Sequence, residues 1–108
     1  MASTLTPGEL FTLDALVTST VKGIASRVLA RSAAGNITLF AFDASEELSE
    51  HTAPFDALVI TLSGGLVLTI GGHAVQTTPQ SVVLMPANVP HAVQATEPSR
   101  MLLIMLRD

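Results

Sequence analysis

The chain has 108 residues, of which 48% are hydrophobic and only 13% are charged, and its formal net charge at pH 7 is −4. This length predicts one domain. The five lysines and arginines form no cluster, and the chain has no tryptophan or tyrosine. It therefore lacks the basic stripe and the stacking aromatic residues of nucleic-acid binding proteins, and we expect no nucleic-acid partner.

The sequence also predicts that the protein does not enter a membrane. The N-terminus lacks a positive region followed by an apolar run, and no apolar stretch approaches the roughly 20 residues needed to span a bilayer. The chain contains no cysteine, which agrees with a reducing compartment. We therefore expect a cytoplasmic protein.

Residues 1–22 are predicted to form an N-terminal extension, and residues 23–108 the main domain. Within the extension, the segment 12–17 fits either one short helical turn capped by Thr12 or an edge strand. The pattern alone leaves both alternatives open.

From residue 24 onward the pattern is that of β-strands separated by turns, with no helix-length periodic segment between them. The predicted strands are 24–30, 37–42, 57–62, 66–70, 82–85 and 101–106, and another strand opens at His91. Turns are predicted at 33–36, 63–65, 71–72, 78–80 and 96–99, and the acidic segment 43–49 is predicted to be a solvated loop. Short strands at near-regular spacing predict an all-β antiparallel sandwich or barrel.

Two of the three histidines, His51 and His91, lie at the ends of apolar strands, and we expect both to face inward at the mouth of the barrel. Side chains alternate along a strand, which identifies the neighbours on the same face. The residues predicted to line this pocket are Ala53, Ala57, Val59, Val93 and Ala95. The third histidine, His73, follows two glycines and is expected to be exposed in a hairpin turn, without a functional role.

The two histidine segments resemble the two motifs of the cupins, which are small β-barrels of the jelly-roll class. The positions of the first motif, G-x5-H-x-H-x3-4-E-x6-G, fall in order on Ser45, His51, Ala53, Ala57 and Gly64. Those of the second, G-x5-P-x-G-x2-H-x3-N, fall on Gln80, Pro86, Asn88, His91 and Ala95. The spacing is kept while many identities differ. The resemblance implies a small single-domain cupin of the RmlC-like superfamily, an antiparallel jelly roll or double-stranded β-helix.

Cupins usually hold a divalent metal with three histidines and one glutamate, and this chain departs from that set. Ala53 and Ala57 stand at the positions of the second histidine and the glutamate, and neither side chain can bind a metal. The resemblance therefore implies a reduced site in which His51 and His91 hold iron, nickel, manganese or zinc. Asp56 is a candidate further ligand, although strict alternation from Ala57 directs it away from the interior.

The sequence leaves three functions open, and it does not decide whether the protein is an enzyme. The first is a metal-binding cupin that performs Lewis-acid or dioxygen chemistry on a small molecule. The second is a metal-free module that binds or senses a small molecule through its imidazoles. The third is a metal-independent isomerase or epimerase, with the two imidazoles as acid and base. Alternatively, both histidines are remnants of a lost site.

The low charge of the chain predicts an interface between copies. Average soluble domains carry roughly 25% charged residues, and strands that are apolar on both faces have to be covered on both. We therefore expect a homodimer, formed by sheet-on-sheet packing or by exchange of N-terminal strands.

Overall fold

A computed structural model of the chain describes residues 4–17 and 23–107. These residues form one short helix, α1 (Leu13–Leu16), and nine strands. The strands are β1 (Ile24–Ser32), β2 (Gly35–Phe42), β3 (Glu47–His51), β4 (Asp56–Ser63), β5 (Leu66–Ile70), β6 (His73–Gln76), β7 (Ser81–Met85), β8 (His91–Ala95) and β9 (Ser99–Leu106). Every predicted strand overlaps an observed one.

The strands form two antiparallel sheets. One has five strands in the order β1-β2-β9-β4-β7, and the other has four in the order β3-β8-β5-β6. Alternate residues of both sheets are buried in a shared hydrophobic core, as the period of two along each strand requires. Its buried members are Phe42, Ala57, Val59, Leu66, Leu68, Met85, Val93, Ala95 and Met101. The predicted small antiparallel jelly roll is confirmed.

The N-terminal segment covers part of the outer face of the five-stranded sheet. Leu16 and Val17 are buried there against Leu39 and Ala41 of β2. Of the two alternatives for this segment, the helical turn is confirmed, although Thr12 at its N-cap makes no side-chain capping hydrogen bond. No helix within the described residues is both long enough and apolar enough to cross a membrane.

Two predictions about segment boundaries have different outcomes. The predicted boundary at residue 22 adjoins residues 18–22, which lie outside the described residues, so it stays a prediction. The prediction of a loop over 43–49 is wrong in its second half, because β3 begins at Glu47. β3 is an edge strand in which only Leu48 is half-buried, so it carries no apolar pattern that would have indicated a strand.

Three residues other than glycine have positive φ in the described part of the chain: Ser45 (72°), Gln80 (68°) and Asn88 (63°). All three stand at glycine positions of the cupin motifs. Gly64, which closes the first motif, also has positive φ, and a Cβ there would collide with the carbonyl oxygen of Pro98. The turns of the two motifs therefore keep their backbone conformation at the three positions where another residue replaces glycine.

Replacing Gln80 by glycine is expected to stabilise the protein. The left-handed conformation costs a residue with a side chain about 1–2 kcal/mol, and the greater freedom of glycine in the unfolded chain offsets about 0.5–1 kcal/mol of the gain. We expect the free energy of unfolding, measured by urea denaturation, to rise by about 0.5–1 kcal/mol.

Gln94 provides the matched control, because it is an exposed glutamine inside β8 without positive φ. Gln94→Gly should lower the free energy of unfolding by about 0.5–1 kcal/mol. A destabilising effect of Gln80→Gly equal to that of Gln94→Gly would contradict the argument.

Candidate functional site

A register shift in β3 places His51 opposite His91. Leu48 pairs with Val93 of β8, so a regular antiparallel ladder would put Glu50 opposite His91. Between Leu48 and His51 the register shifts, and His51 takes that position instead. An extra residue in one strand re-aims the side chains that follow it. The predicted juxtaposition of the two histidines is therefore observed, through a shift that the sequence pattern did not indicate.

The imidazoles approach each other through their Nε2 atoms, which are 3.2 Å apart. The ring centroids are 4.4 Å apart, and the ring planes meet at 71°. The Nδ1 of His51 lies 2.8 Å from the carbonyl oxygen of Ser49, and the Nδ1 of His91 lies 3.1 Å from that of Val89. Because a carbonyl only accepts hydrogen bonds, both Nδ1 atoms donate, and in the neutral rings both Nε2 atoms carry lone pairs.

Two nitrogen atoms that both carry a lone pair repel each other at this distance. The arrangement becomes favourable when a cation lies between the Nε2 atoms, either a metal ion or a proton that makes one ring an imidazolium. By accepting hydrogen bonds from both Nδ1 atoms, the carbonyl groups of Ser49 and Val89 leave both Nε2 lone pairs available to the same cation.

The histidine pair lies at the boundary between core and solvent. His91 is only 5% exposed, whereas His51 is exposed, so the expectation that both histidines face inward holds for His91 and is wrong for His51. Burial alternates along β8, so Val93 and Ala95 are buried on the same side as His91, as predicted. The pair therefore has an apolar floor and a solvent-facing side through which a ligand can reach it.

The residues predicted to line a pocket belong to the packed core or to its rim. Ala57, Val59, Val93 and Ala95 are at most 5% exposed. Ala53 is half-buried, and its carbonyl oxygen accepts a hydrogen bond from the amide of another residue. Their contact with a ligand stays a prediction. Cavities of about 250 and about 120 Å³ lie elsewhere, the first beside the β1–β2 turn and the second beside Arg100.

Asp56 contacts the loop that leads into β8. Its Oδ1 accepts a hydrogen bond from the amide of Ala87 at 2.8 Å, and the amide of Asn88 donates to the carbonyl of Ala53 at 2.7 Å. Within residues 4–17 and 23–107, no three His, Cys, Asp or Glu residues form a group that could hold a metal. Asp56 thus anchors the segment before His91, and its role as a ligand stays a prediction.

His73 is exposed, as expected, but its place in the sheet is informative. It opens β6 and pairs with Ile70 of β5, which on its other side pairs with His91. His51, His91, Ile70 and His73 thus form one row across the four-stranded sheet. No local sequence pattern indicates this row, because it depends on the pairing of strands that are distant in sequence. His73 was therefore predicted to have no functional role.

Comparison with known proteins agrees with this architecture. A family model described as the cupin domain matches residues 38–106. A conserved protein of unknown function from Streptococcus pyogenes is 30% identical, with a TM-score of 0.89, over 96% of this chain and 91% of its own. A cupin superfamily protein from Desulfitobacterium hafniense is 30% identical, with a TM-score of 0.88, over 96% of this chain and 95% of its own.

A cupin 2 conserved barrel domain protein from Leptotrichia buccalis is 34% identical, with a TM-score of 0.85. That match covers 90% of this chain and 47% of the Leptotrichia protein. No match was found among curated proteins.

The contact of Asp56 with Ala87 predicts a structural effect of Asp56. Asp56→Ala should lower the free energy of unfolding by about 1 kcal/mol, because an amide of the loop loses its acceptor at an exposed site. Asp56→Asn keeps an acceptor oxygen and should cost less. Urea denaturation measures both, and equal losses in the two variants would contradict this role for the hydrogen bond.

Proposed function

This chain belongs to the cupin family, and we propose that His51 and His91 form a reduced divalent metal site at the rim of its barrel. The observation that carries the proposal is the 3.2 Å separation of two Nε2 atoms whose rings both donate through Nδ1. Metal–nitrogen bonds of 2.0–2.1 Å at a tetrahedral angle put two ligand nitrogens about 3.3 Å apart. The pair therefore fits two ligands of one ion.

The rest of the coordination would come from outside the protein. Two imidazoles leave at least two positions of a four-coordinate ion for water or for oxygen atoms of a small molecule. When bound, such an ion polarises a coordinated oxygen as a Lewis acid. The chain itself fixes the orientation of both rings through the carbonyls of Ser49 and Val89, and the exposed side of His51 gives a small molecule access.

A metal-free binding module is the second candidate. The observation that favours it is that His51 and His91 have no third potential ligand beside them in the described residues. A proton shared between the two Nε2 atoms would make the pair a cation. Such a pair would bind a carboxylate-bearing small molecule at the exposed edge of His51.

We also propose that the protein is a homodimer through the outer face of the five-stranded sheet. The N-terminal segment covers the β1–β2 part of this face, and apolar side chains continue across the remaining strands. Cross-strand pairing places them in one patch: Leu58, Ile60, Val82, Leu84 and Ile104. Val82 is 59% and Leu84 52% exposed. A patch without charged members suits a second copy of the same patch.

Metal binding by the histidine pair is tested with protein purified without a histidine tag and stripped with a chelator. Titration calorimetry with zinc, nickel, manganese and ferrous ions should show one site per chain for at least one ion. His51→Ala and His91→Ala should each weaken it at least tenfold, because each removes one of only two protein ligands.

His73→Ala is the control, because it removes the remaining histidine, which is separated from His91 by the β5 strand. It should leave metal affinity unchanged. Affinity retained in His51→Ala and His91→Ala would contradict the metal site. If no ion binds more tightly than micromolar, but carboxylates raise the melting temperature only when both histidines are present, the metal-free module is the function.

The homodimer is tested by light scattering after size exclusion. We expect the mass of two chains at micromolar concentration, and the mass of one chain for Leu84→Glu, because the buried charge would be unpaired. Gln94→Glu adds the same charge to an exposed residue of the other sheet and should remain dimeric. A monomeric native chain would contradict the proposal.

A further inference from the structure

Arg100 brings a half-buried positive charge to the outer face of the five-stranded sheet. It lies on β9 opposite Ala41 of β2 and Ser63 of β4, and its side chain is only 20% exposed. The Nη1 atom is buried and makes no hydrogen bond within the described part of the chain. The Oδ1 of Asp14 lies 3.8 Å from it, which is beyond hydrogen-bonding distance.

This arrangement is unusual because a buried donor nearly always has an acceptor. The guanidinium group is always charged in proteins and has five N–H donors with a fixed planar geometry. Asp14 does not compensate it, since the Asp14 side chain is 93% exposed and keeps its hydration. The Nη1 of Arg100 is therefore a buried charged donor without an acceptor in the described part of the chain, and the charge of the guanidinium is left without a bonded counter-ion.

A cavity of about 120 Å³ lies beside Arg100. Its walls are formed by Ala41, Phe42, Ser63, Pro98, Ser99 and Arg100. The register of β4 shifts opposite this point, between Thr61 and Ser63, and such irregularities frequently adjoin functional sites. The hydroxyl of Ser99 is already bonded to Gly65 and to the carbonyl of Glu97.

We propose that this pocket binds a short-chain carboxylate, with its oxygen atoms on the guanidinium nitrogens of Arg100 other than the enclosed Nη1 and its apolar tail against the walls. Planar guanidinium and carboxylate groups match each other through two parallel hydrogen bonds. The walls contributed by Ala41, Phe42 and Pro98 are apolar, which suits a hydrocarbon tail better than the further oxygen atoms of a phosphate. A cavity of about 150 Å³ accepts benzene, so this one accepts a ligand of about five non-hydrogen atoms, such as propionate.

The test is a titration of the ¹⁵N-labelled protein with sodium propionate at constant ionic strength, followed by amide chemical shifts. Saturable shifts should centre on Ser63, Ser99 and Arg100, with a dissociation constant in the millimolar range. Inorganic phosphate should bind at least tenfold more weakly. Tighter binding of phosphate, or shifts that spread over the surface without saturating, would overturn the proposal.

Variants separate the pocket from general charge effects. Arg100→Gln should weaken propionate binding at least tenfold. Arg107→Gln removes the same charge from an exposed arginine that lies over the Phe55 ring, and should leave it unchanged. Equal weakening by both variants, or by neither, would show that propionate does not use the pocket.

Two further variants keep Arg100 in place. Ser63→Leu puts an apolar side chain at the pocket wall and should weaken binding at least tenfold, which decides the matter if Arg100→Gln does not fold. Asp14→Asn removes the competing carboxylate and should leave binding unchanged or tighten it by up to about fivefold. Unchanged binding in Ser63→Leu, or loss of binding in Asp14→Asn, would overturn the proposal.

Discussion

The pairing of β3 with β8 is the constraint on which the candidate site depends. Without the register shift after Leu48, Glu50 would stand opposite His91, and a carboxylate rather than an imidazole would face the buried ring. Each histidine is then oriented by the backbone carbonyl of the residue two positions before it, which is Ser49 for His51 and Val89 for His91. Backbone carbonyls thus orient both rings, and this geometry forms although Ala53 and Ala57 stand at two ligand positions of the motif.

Much of the fold follows from patterns that are local in sequence. Strands such as β4 and β8 alternate between buried and half-buried or exposed residues, so their apolar period predicts both the strand and its inward face. β3 could not be predicted in this way, because an edge strand held mainly by its hydrogen bonds to β8 buries almost no side chains. A strand of this kind becomes visible only when its partner is known.

The site was predictable in position but not in detail. The spacing of the motifs identifies His51 and His91 and predicts that both face inward, whereas His51 is exposed and stands opposite His91 because of the register shift within β3. The bond from Ala87 to Asp56 joins residues 31 positions apart. The burial of Arg100 depends on contacts across strands distant in sequence. Neither feature leaves a local signal.

This chain keeps the backbone geometry of the cupin motifs but lacks two of their metal-binding side chains. Ser45, Gln80 and Asn88 adopt the positive φ expected at glycine positions of the cupin motifs, so the turns persist despite the cost to residues with side chains. Ala53, between β3 and β4, and Ala57, within β4, stand at positions of metal ligands in the motif, and both strands form without those ligands. Motif spacing therefore predicts the barrel well, and it predicts the chemistry only as far as the ligand residues are themselves present.

The loss of the glutamate position changes the charge that the site can hold. Two neutral imidazoles leave the double positive charge of a divalent ion uncompensated. The buried side chains on the same side of β8 as His91 are those of Val93 and Ala95, and neither is an anion. Beside this apolar core, an uncompensated cation attracts an anionic ligand more strongly than it would in water. A proton shared by the Nε2 atoms would have the same effect with a single charge. The two proposed functions therefore differ in the cation between His51 and His91, and under either proposal we expect a small molecule with a negatively charged oxygen as the ligand.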